Sequence, residues 1–149
     1  MADSSFPARS SALAPSTGEF VVGLLGAAAV SIAVNALIAL IAGAFVPAGA
    51  QRTGLALGEY APATVIGILL GTLGWYLVRR FARAPRRVLR VLVPIVVALS
   101  WIPDLGILAG GATVANSLAL MAMHAVVAAV TVPVLSRVLP VTEPAEPAR

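Results

Sequence analysis

The chain has 149 residues, of which 60% are hydrophobic and 11% are charged, whereas soluble proteins average roughly 45–50% apolar and about 25% charged residues. A soluble domain of this size needs more polar side chains to cover its surface, so the composition excludes that class and indicates an integral membrane protein. The net charge of +4 does not indicate nucleic-acid binding, because most of the basic residues lie in one short segment between apolar runs. The chain has no cysteine and one histidine, so we expect neither a metal site nor a cofactor.

Residues 1–19 are rich in Ala, Ser and Pro, a composition that cannot bury a core and predicts a disordered tail. The run at 20–46 carries no charge. At about 1.5 Å per residue it is longer than the ~30 Å hydrocarbon core of a bilayer, so it predicts the first transmembrane helix. Asn35 lies near the middle of this span.

The second predicted span covers 59–78 and begins with Glu59 in its first turn. Gly67, Gly71 and Gly74 fall on one face of this helix, in the small-xxx-small pattern through which membrane helices approach one another closely. We therefore predict that this glycine face packs against another helix, either within the chain or in a homodimer.

The segment Arg79–Arg90 joins the second and third spans and carries six of the ten basic residues. Charge of this density cannot lie in hydrocarbon, and the positive-inside rule places the segment on the cytoplasmic side. Binding of anionic lipid headgroups is a natural secondary role. The six residues are Arg79, Arg80, Arg83, Arg86, Arg87 and Arg90.

The third predicted span, 88–102, is short for a full crossing and contains Pro94, which predicts a kink. Pro103 and Asp104 then break or bend the helix. The apolar segment 105–113 either lies along the membrane surface or extends the third span beyond that bend.

The fourth predicted span covers 114–135, with His124 near its middle, and the Pro-rich segment 140–149 predicts a second disordered tail. These predictions define an all-α fold. It is an integral membrane bundle of four transmembrane helices in one domain, 20–139, with both termini cytoplasmic. All ten basic residues are arginine and Ala, Gly and Pro are abundant, which is typical of a high-GC genome and predicts a multi-pass actinobacterial protein of the bacterial inner membrane.

The polar residues inside these spans are candidates for a structural or functional role, because an ionisable group in hydrocarbon costs several kcal/mol unless it is buried in protein or near water. Residue counting places Asn35 near the midplane, Glu59, Ser100 and Asp104 towards the outer face, and His124 nearly three turns below that face. We therefore predict that these five side chains line one cavity that opens outwards.

Asp104, His124 and Glu59 are the candidate catalytic residues, because a carboxyl group and an imidazole can donate and accept protons near neutral pH. Each also has a structural interpretation. His124 could join helices by a hydrogen bond, Asp104 could cap the break after Pro103, and Glu59 could offset the dipole of its helix. The candidate ligand contacts are Asn35, Ser100, Trp101 and Asn116.

Two short motifs are Ser100-x-x-Pro103-Asp104-Leu105, at the end of the third predicted span, and Met123-His124-Ala125-x-x-Ala128-Ala129, in the fourth. Through them the chain resembles a family of small four-span actinobacterial membrane proteins known only as a domain of unknown function. The resemblance implies a four-helix membrane domain and draws attention to Ser100, Pro103, Asp104 and His124. It implies no activity.

Three functions are compatible with this pattern. The first is a helical bundle that binds a lipophilic ligand or a membrane partner and needs no active site. The second is a membrane-embedded acid/base enzyme, of isomerase, cyclase or epoxide-opening type, that acts on a lipophilic substrate through Asp104 and His124. The third is a small proton-coupled transporter, which we rank last because Glu59 and Asp104 are predicted near an interface and only His124 is deep.

Overall fold

A computed structural model describes residues 16–141. Within that range the regular secondary structure consists of α-helices joined by loops, with no strand. The predicted tails lie almost entirely outside the described residues, although 17–19 are helical. The five helices are α1 Thr17–Phe45, α2 Leu57–Phe81, α3 Pro85–Ser100, α4 Ile102–Ala109 and α5 Val114–Val138.

Four helical segments are long and apolar enough to cross a membrane: α1, α2, α5, and the continuous stretch Pro85–Ala109 formed by α3 and α4 together. We call that stretch the third span. It bends at Trp101, whose backbone stays in the right-handed helical region (φ −81°, ψ −14°). Pro103 lies in the first turn of α4, where its missing N–H breaks no helical hydrogen bond. The helix therefore continues seven residues beyond the predicted end at residue 102, and Asp104 lies inside the span.

Local hydrogen bonds explain where the helices begin and end. At the start of α1, the Ser16 hydroxyl accepts from the Glu19 N–H at 3.2 Å and the Glu19 carboxylate accepts from the Ser16 N–H at 2.7 Å, which is a capping box. At its end, the Arg52 guanidinium donates to the carbonyls of Gly43 and Val46, each at 3.3 Å. Thr113 caps α5 by accepting from the Asn116 N–H at 3.2 Å.

Helices α1 and α5 form the most extensive pair in the bundle. The buried face of α1 consists of Ala27, Ser31, Asn35 and Ala42, all 6% exposed or less. These side chains are small or polar, which lets two membrane helices approach closely. The α1–α5 pair is the packed side of the bundle.

The third span packs much more loosely than the other three. Its buried residues are Pro85 and Leu89 near one end and Asp104 near the other. Between Leu89 and Asp104 no residue of this described helix is buried. The middle of the third span therefore stands away from α2 and α5 and leaves a space between them.

We call the end of the bundle that carries Arg79–Arg90 the basic end, and the end with the 46–56 and 110–113 loops the opposite end. Trp75, Leu89, Leu135 and Val141 form a buried cluster at the basic end. The Trp75 indole donates to the Leu139 carbonyl at 3.0 Å. This cluster joins α2, α3, α5 and the end of the described chain.

Candidate functional site

The space beside the third span is a cavity of about 590 Å³ between α2, α3, α4 and α5. This volume is within the range of roughly 300–1,000 Å³ typical of small-molecule sites. Most of its wall is hydrocarbon. Representative apolar lining residues are Leu70, Leu92, Val93, Val96, Val127 and Val132.

Five of the sequence-predicted polar residues line this cavity: Asn35, Glu59, Ser100, Asp104 and His124. At about 1.5 Å per residue, Asn35 and His124 lie roughly 15 Å from the helix ends at the opposite end of the bundle. The cavity continues towards the basic end, where Trp75 is part of its wall. It therefore has a polar part in the opposite half and an apolar part that reaches the basic end.

Asp104 and His124 are in direct contact, with His124 Nδ1 3.1 Å from Asp104 Oδ2. The Asp104 side chain is 4% exposed and the His124 side chain 43% exposed, so the imidazole is the accessible member. His124 Nδ1 also lies 2.9 Å from the Leu120 carbonyl oxygen. A carbonyl oxygen only accepts, so this contact requires a hydrogen on Nδ1.

The Nδ1 hydrogen satisfies the Leu120 carbonyl rather than the carboxyl group. Asp104 Oδ2 is buried and has no aligned hydrogen-bond donor, although the imidazole nitrogen is only 3.1 Å away. The Leu120 carbonyl oxygen is the nearer acceptor, at 2.9 Å, and its contact has hydrogen-bond geometry. The His124 ring stays close enough to attract the carboxyl group without saturating its oxygen.

Asn35 and Thr64 form a second polar contact in the cavity wall. Asn35 Nδ2 donates to the Thr64 hydroxyl at 3.0 Å and joins α1 to α2. Asn35 is 1% exposed, and its Oδ1 has no hydrogen-bond partner. Sequence reasoning missed Thr64 as a lining residue, although it lies one helical turn after Tyr60 and one before the glycine row.

Ser100 and Glu59 line the cavity but are engaged elsewhere. The Ser100 hydroxyl donates to the Val97 carbonyl of its own helix at 2.6 Å. Glu59 Oε2 accepts from the N–H groups of Gly54 at 2.9 Å and Ala56 at 3.2 Å. The Glu59 carboxylate therefore holds the loop and the first turn of α2.

Trp101 and Asn116 are not part of the cavity wall. The Trp101 indole donates to the Met121 carbonyl at 3.1 Å. Asn116 is fully buried, and its Nδ2 donates to the Thr53 carbonyl at 3.0 Å. Both side chains tie loops and helices together beside the cavity rather than facing it.

Gly67, Gly71 and Gly74 form one wall of the cavity. A methyl group placed on any of the three would meet no atom within 4 Å. Within the chain, the glycine face is therefore open to the cavity and does not pack against another helix.

The six arginines of Arg79–Arg90 are exposed and lie outside the cavity. The Arg86 guanidinium donates to the Val141 carbonyl at 3.2 Å, and the Arg80 guanidinium lies 5.5 Å from the centre of the Phe81 ring. Among residues 16–141, no three His, Cys, Asp or Glu side chains come together in a way that could hold a metal ion.

Comparison with known proteins identifies one family. The family model covers most of the chain, residues 11–141, and its description is "Family of unknown function (DUF6069)". Neither the curated proteins nor the solved structures contain a significant match to the chain. The described residues contain four helical segments that could cross a membrane, and the cavity lies between them. The family model covers most of the chain, so the chain belongs to the DUF6069 family.

Proposed function

We propose that this protein is a multi-pass membrane protein whose helical bundle binds a lipophilic molecule in the cavity beside the third span. The polar part of that molecule lies at Asp104 and His124, and its hydrocarbon part lies along the apolar wall. The observation that carries the proposal is a carboxyl group, Asp104, 3% exposed, in the wall of an otherwise apolar cavity.

The free-energy cost of placing the Asp104 carboxyl group inside a membrane span supports this interpretation. A carboxyl group inside a membrane span is unfavourable unless another group compensates it. Asp104 has a nearby imidazole but no aligned donor to Oδ2. A bound polar group would supply that donor, while Leu, Val and Gly side chains accommodate a hydrocarbon chain.

We also propose an orientation. The arginine segment Arg79–Arg90 lies on the cytoplasmic side, which places both termini inside and the polar part of the cavity nearer the outer face. Anionic headgroups contact these arginines. The membrane is the inner membrane of a bacterium, and the arginine-rich, lysine-free composition supports an actinobacterial source.

Native mass spectrometry of the purified protein in a mild detergent tests the binding proposal. We expect a defined non-phospholipid adduct on the wild type that is lost from Asp104→Asn and His124→Ala. Leu118→Ala is the control, because Leu118 is 58% exposed on α5 outside the cavity wall. Circular dichroism must show that all variants stay helical. Bulk phospholipid bound equally by all four proteins would contradict the proposal.

The 3.1 Å contact between Asp104 and His124 favours one second candidate, acid/base catalysis on the bound molecule. An acid and a base at the polar end of an apolar cavity are sufficient for isomerisation, cyclisation or epoxide opening. This candidate predicts that Asp104→Asn abolishes turnover of the molecule identified above while the protein remains folded. An adduct recovered chemically unchanged after prolonged incubation would contradict it.

A further inference from the structure

The wall of the cavity presents buried hydrogen-bond acceptors that have no donor. Asn35 Oδ1 and Asp104 Oδ2 are both buried, and neither has a hydrogen-bond partner. Both residues line the cavity and are at least 97% buried. A third unpartnered atom, the Thr131 hydroxyl oxygen, belongs to a group that both donates and accepts. Leaving such atoms unpaired is unfavourable, so the polar part of a ligand that fits here donates hydrogen bonds.

The charges around the cavity exclude anionic headgroups. No arginine lines it, whereas Asp104 and Glu59 do. A fatty-acid carboxylate or a lipid phosphate would place a negative charge beside these carboxyl groups without a fixed cation to offset it. The His124 ring lies beside Asp104 Oδ2 at 3.1 Å but donates its Nδ1 hydrogen to the Leu120 carbonyl, so Oδ2 stays available to a ligand as an acceptor.

The glycine wall leaves room for a hydrocarbon chain against α2. Gly67, Gly71 and Gly74 follow Thr64 on the same helical face and lead from the polar part of the cavity towards Trp75. From Thr64 to Trp75 the helix rises by roughly 16 Å, at about 1.5 Å per residue. A single hydrocarbon chain can lie along this row.

We infer that the ligand is a long-chain alcohol, whose hydroxyl donates to Asp104 Oδ2 and whose chain lies along the glycine row towards Trp75. This inference rests on the proposed function, since it names the class of molecule that the same cavity binds. A linear fatty alcohol and an isoprenoid alcohol share this chemistry, and the experiment below includes both.

Tryptophan fluorescence provides the test, because the chain has two tryptophans and only Trp75 lines the cavity. Trp101→Phe leaves Trp75 as the single reporter. The full-length variant is placed in phosphatidylcholine nanodiscs, where 16-bromohexadecan-1-ol should quench Trp75 through the bromine at the end of its chain. Hexadecan-1-ol, farnesol, hexadecyl methyl ether and palmitate then compete with the probe, each titrated by its mole fraction in the bilayer.

We expect an alcohol to displace the brominated probe at a mole fraction at least about tenfold lower than the ether or palmitate, the size expected for one hydrogen bond to a buried acceptor. Whether hexadecan-1-ol or farnesol competes better identifies the chain type. In Asp104→Leu, the alcohols should lose this advantage and compete only as well as the ether.

Two results would overturn the inference. One leaves the proposed lipophilic binding intact, and the other contradicts both proposals. Equal competition by the alcohols, the ether and palmitate shows an apolar site without headgroup selection, so the alcohol inference fails and lipophilic binding stands. Quenching that no competitor reverses shows that the probe reaches Trp75 only through the bilayer, and then both fail. Should Asp104→Leu not fold, the competition on Trp101→Phe still decides between these outcomes.

Discussion

The α1–α5 pair and the third span are both apolar helical segments, yet they pack in opposite ways. The buried face of α1 is made of Ala, Ser and Asn, and α5 contributes seven buried residues. The third span buries only Pro85, Leu89 and Asp104, while Val91, Ile95 and Leu99 remain about half exposed.

This difference shows what holds a membrane-type bundle together. In hydrocarbon, a large apolar side chain gains little by moving from lipid to protein, so close packing of small residues and polar contacts between helices decide which faces meet. The α1 face has these features and the middle of the third span does not. The cavity is the space left between them: α5 forms its closely packed wall, and the third span forms its loosely packed wall.

The largest expected effect compares the same truncation on both sides of the bundle. Leu135→Ala on α5 removes a side chain that is 2% exposed, whereas Leu99→Ala on the third span removes one that is 56% exposed. We expect Leu135→Ala to lower the free energy of unfolding by about 2–3 kcal/mol, through the packing lost around the cavity that it leaves, and Leu99→Ala to change it by less than about 0.5 kcal/mol. Thermal unfolding in detergent measures both. Equal losses would show that the third span is packed as tightly as α5.

The second prediction overfills the packed side. Ser31 is fully buried on α1, whereas its neighbour Val30 is 51% exposed. Ser31→Leu should push α1 away from the helices packed against its buried face and destabilise the protein by about 1–3 kcal/mol, and Val30→Leu should be neutral. The same thermal measurement applies, and a neutral Ser31→Leu would mean that this interface is not closely packed.

The third prediction concerns the loop that joins α1 to α2. Gly54 has a φ of +80°, and a methyl group added to it would come within 2.6 Å of Leu120. Gly54→Ala therefore suffers both backbone strain and a side-chain clash, and should lose about 1–2 kcal/mol for the strain alone. Gly58→Ala is the matched control, because its added methyl group meets no atom within 4 Å. If the two variants unfold at the same temperature, the loop does not adopt this conformation.

The smallest effect is that of the hydrogen bond between Asn35 and Thr64, at 3.0 Å. Double-mutant cycles in a membrane protein give an average of about 0.6 kcal/mol for such a contact. A cycle of Asn35→Ala, Thr64→Val and the double variant should give a coupling of that size. Additive effects of the two single variants would show that the two side chains do not interact.

Much of this architecture could be predicted from the chain. Apolar run length predicts four crossings, and residues 16–141 contain four helical segments of sufficient length and apolarity. The third span was expected to end near residue 102, and 105–113 was expected either to lie along the membrane surface or to extend the span beyond a bend. The structure has the extension, because a proline in the first turn of a new helix does not prevent continuation. Pro103 is such a residue, and the helix continues to Ala109.

The site was harder to predict, because residue counting gives depth along a helix but not rotation about its axis. The predicted depths were sufficient to place Asp104, His124 and Asn35 around the same cavity. Rotation turns Trp101 and Asn116 away from the cavity, where they bond to the Met121 and Thr53 carbonyls. The openness of the glycine row was not predictable either, because the small-xxx-small pattern does not say whether a helix or a cavity lies opposite.

Native mass spectrometry of Gly71→Leu beside Gly26→Leu tests most directly whether the cavity binds the lipophilic molecule. Neither glycine has an atom within 4 Å of an added methyl group, but only Gly71 lines the cavity. We predict that Gly26→Leu keeps the adduct of the wild-type protein and that Gly71→Leu, with unchanged thermal stability, loses it. An adduct retained equally by both variants would contradict the assignment of this cavity as the binding site.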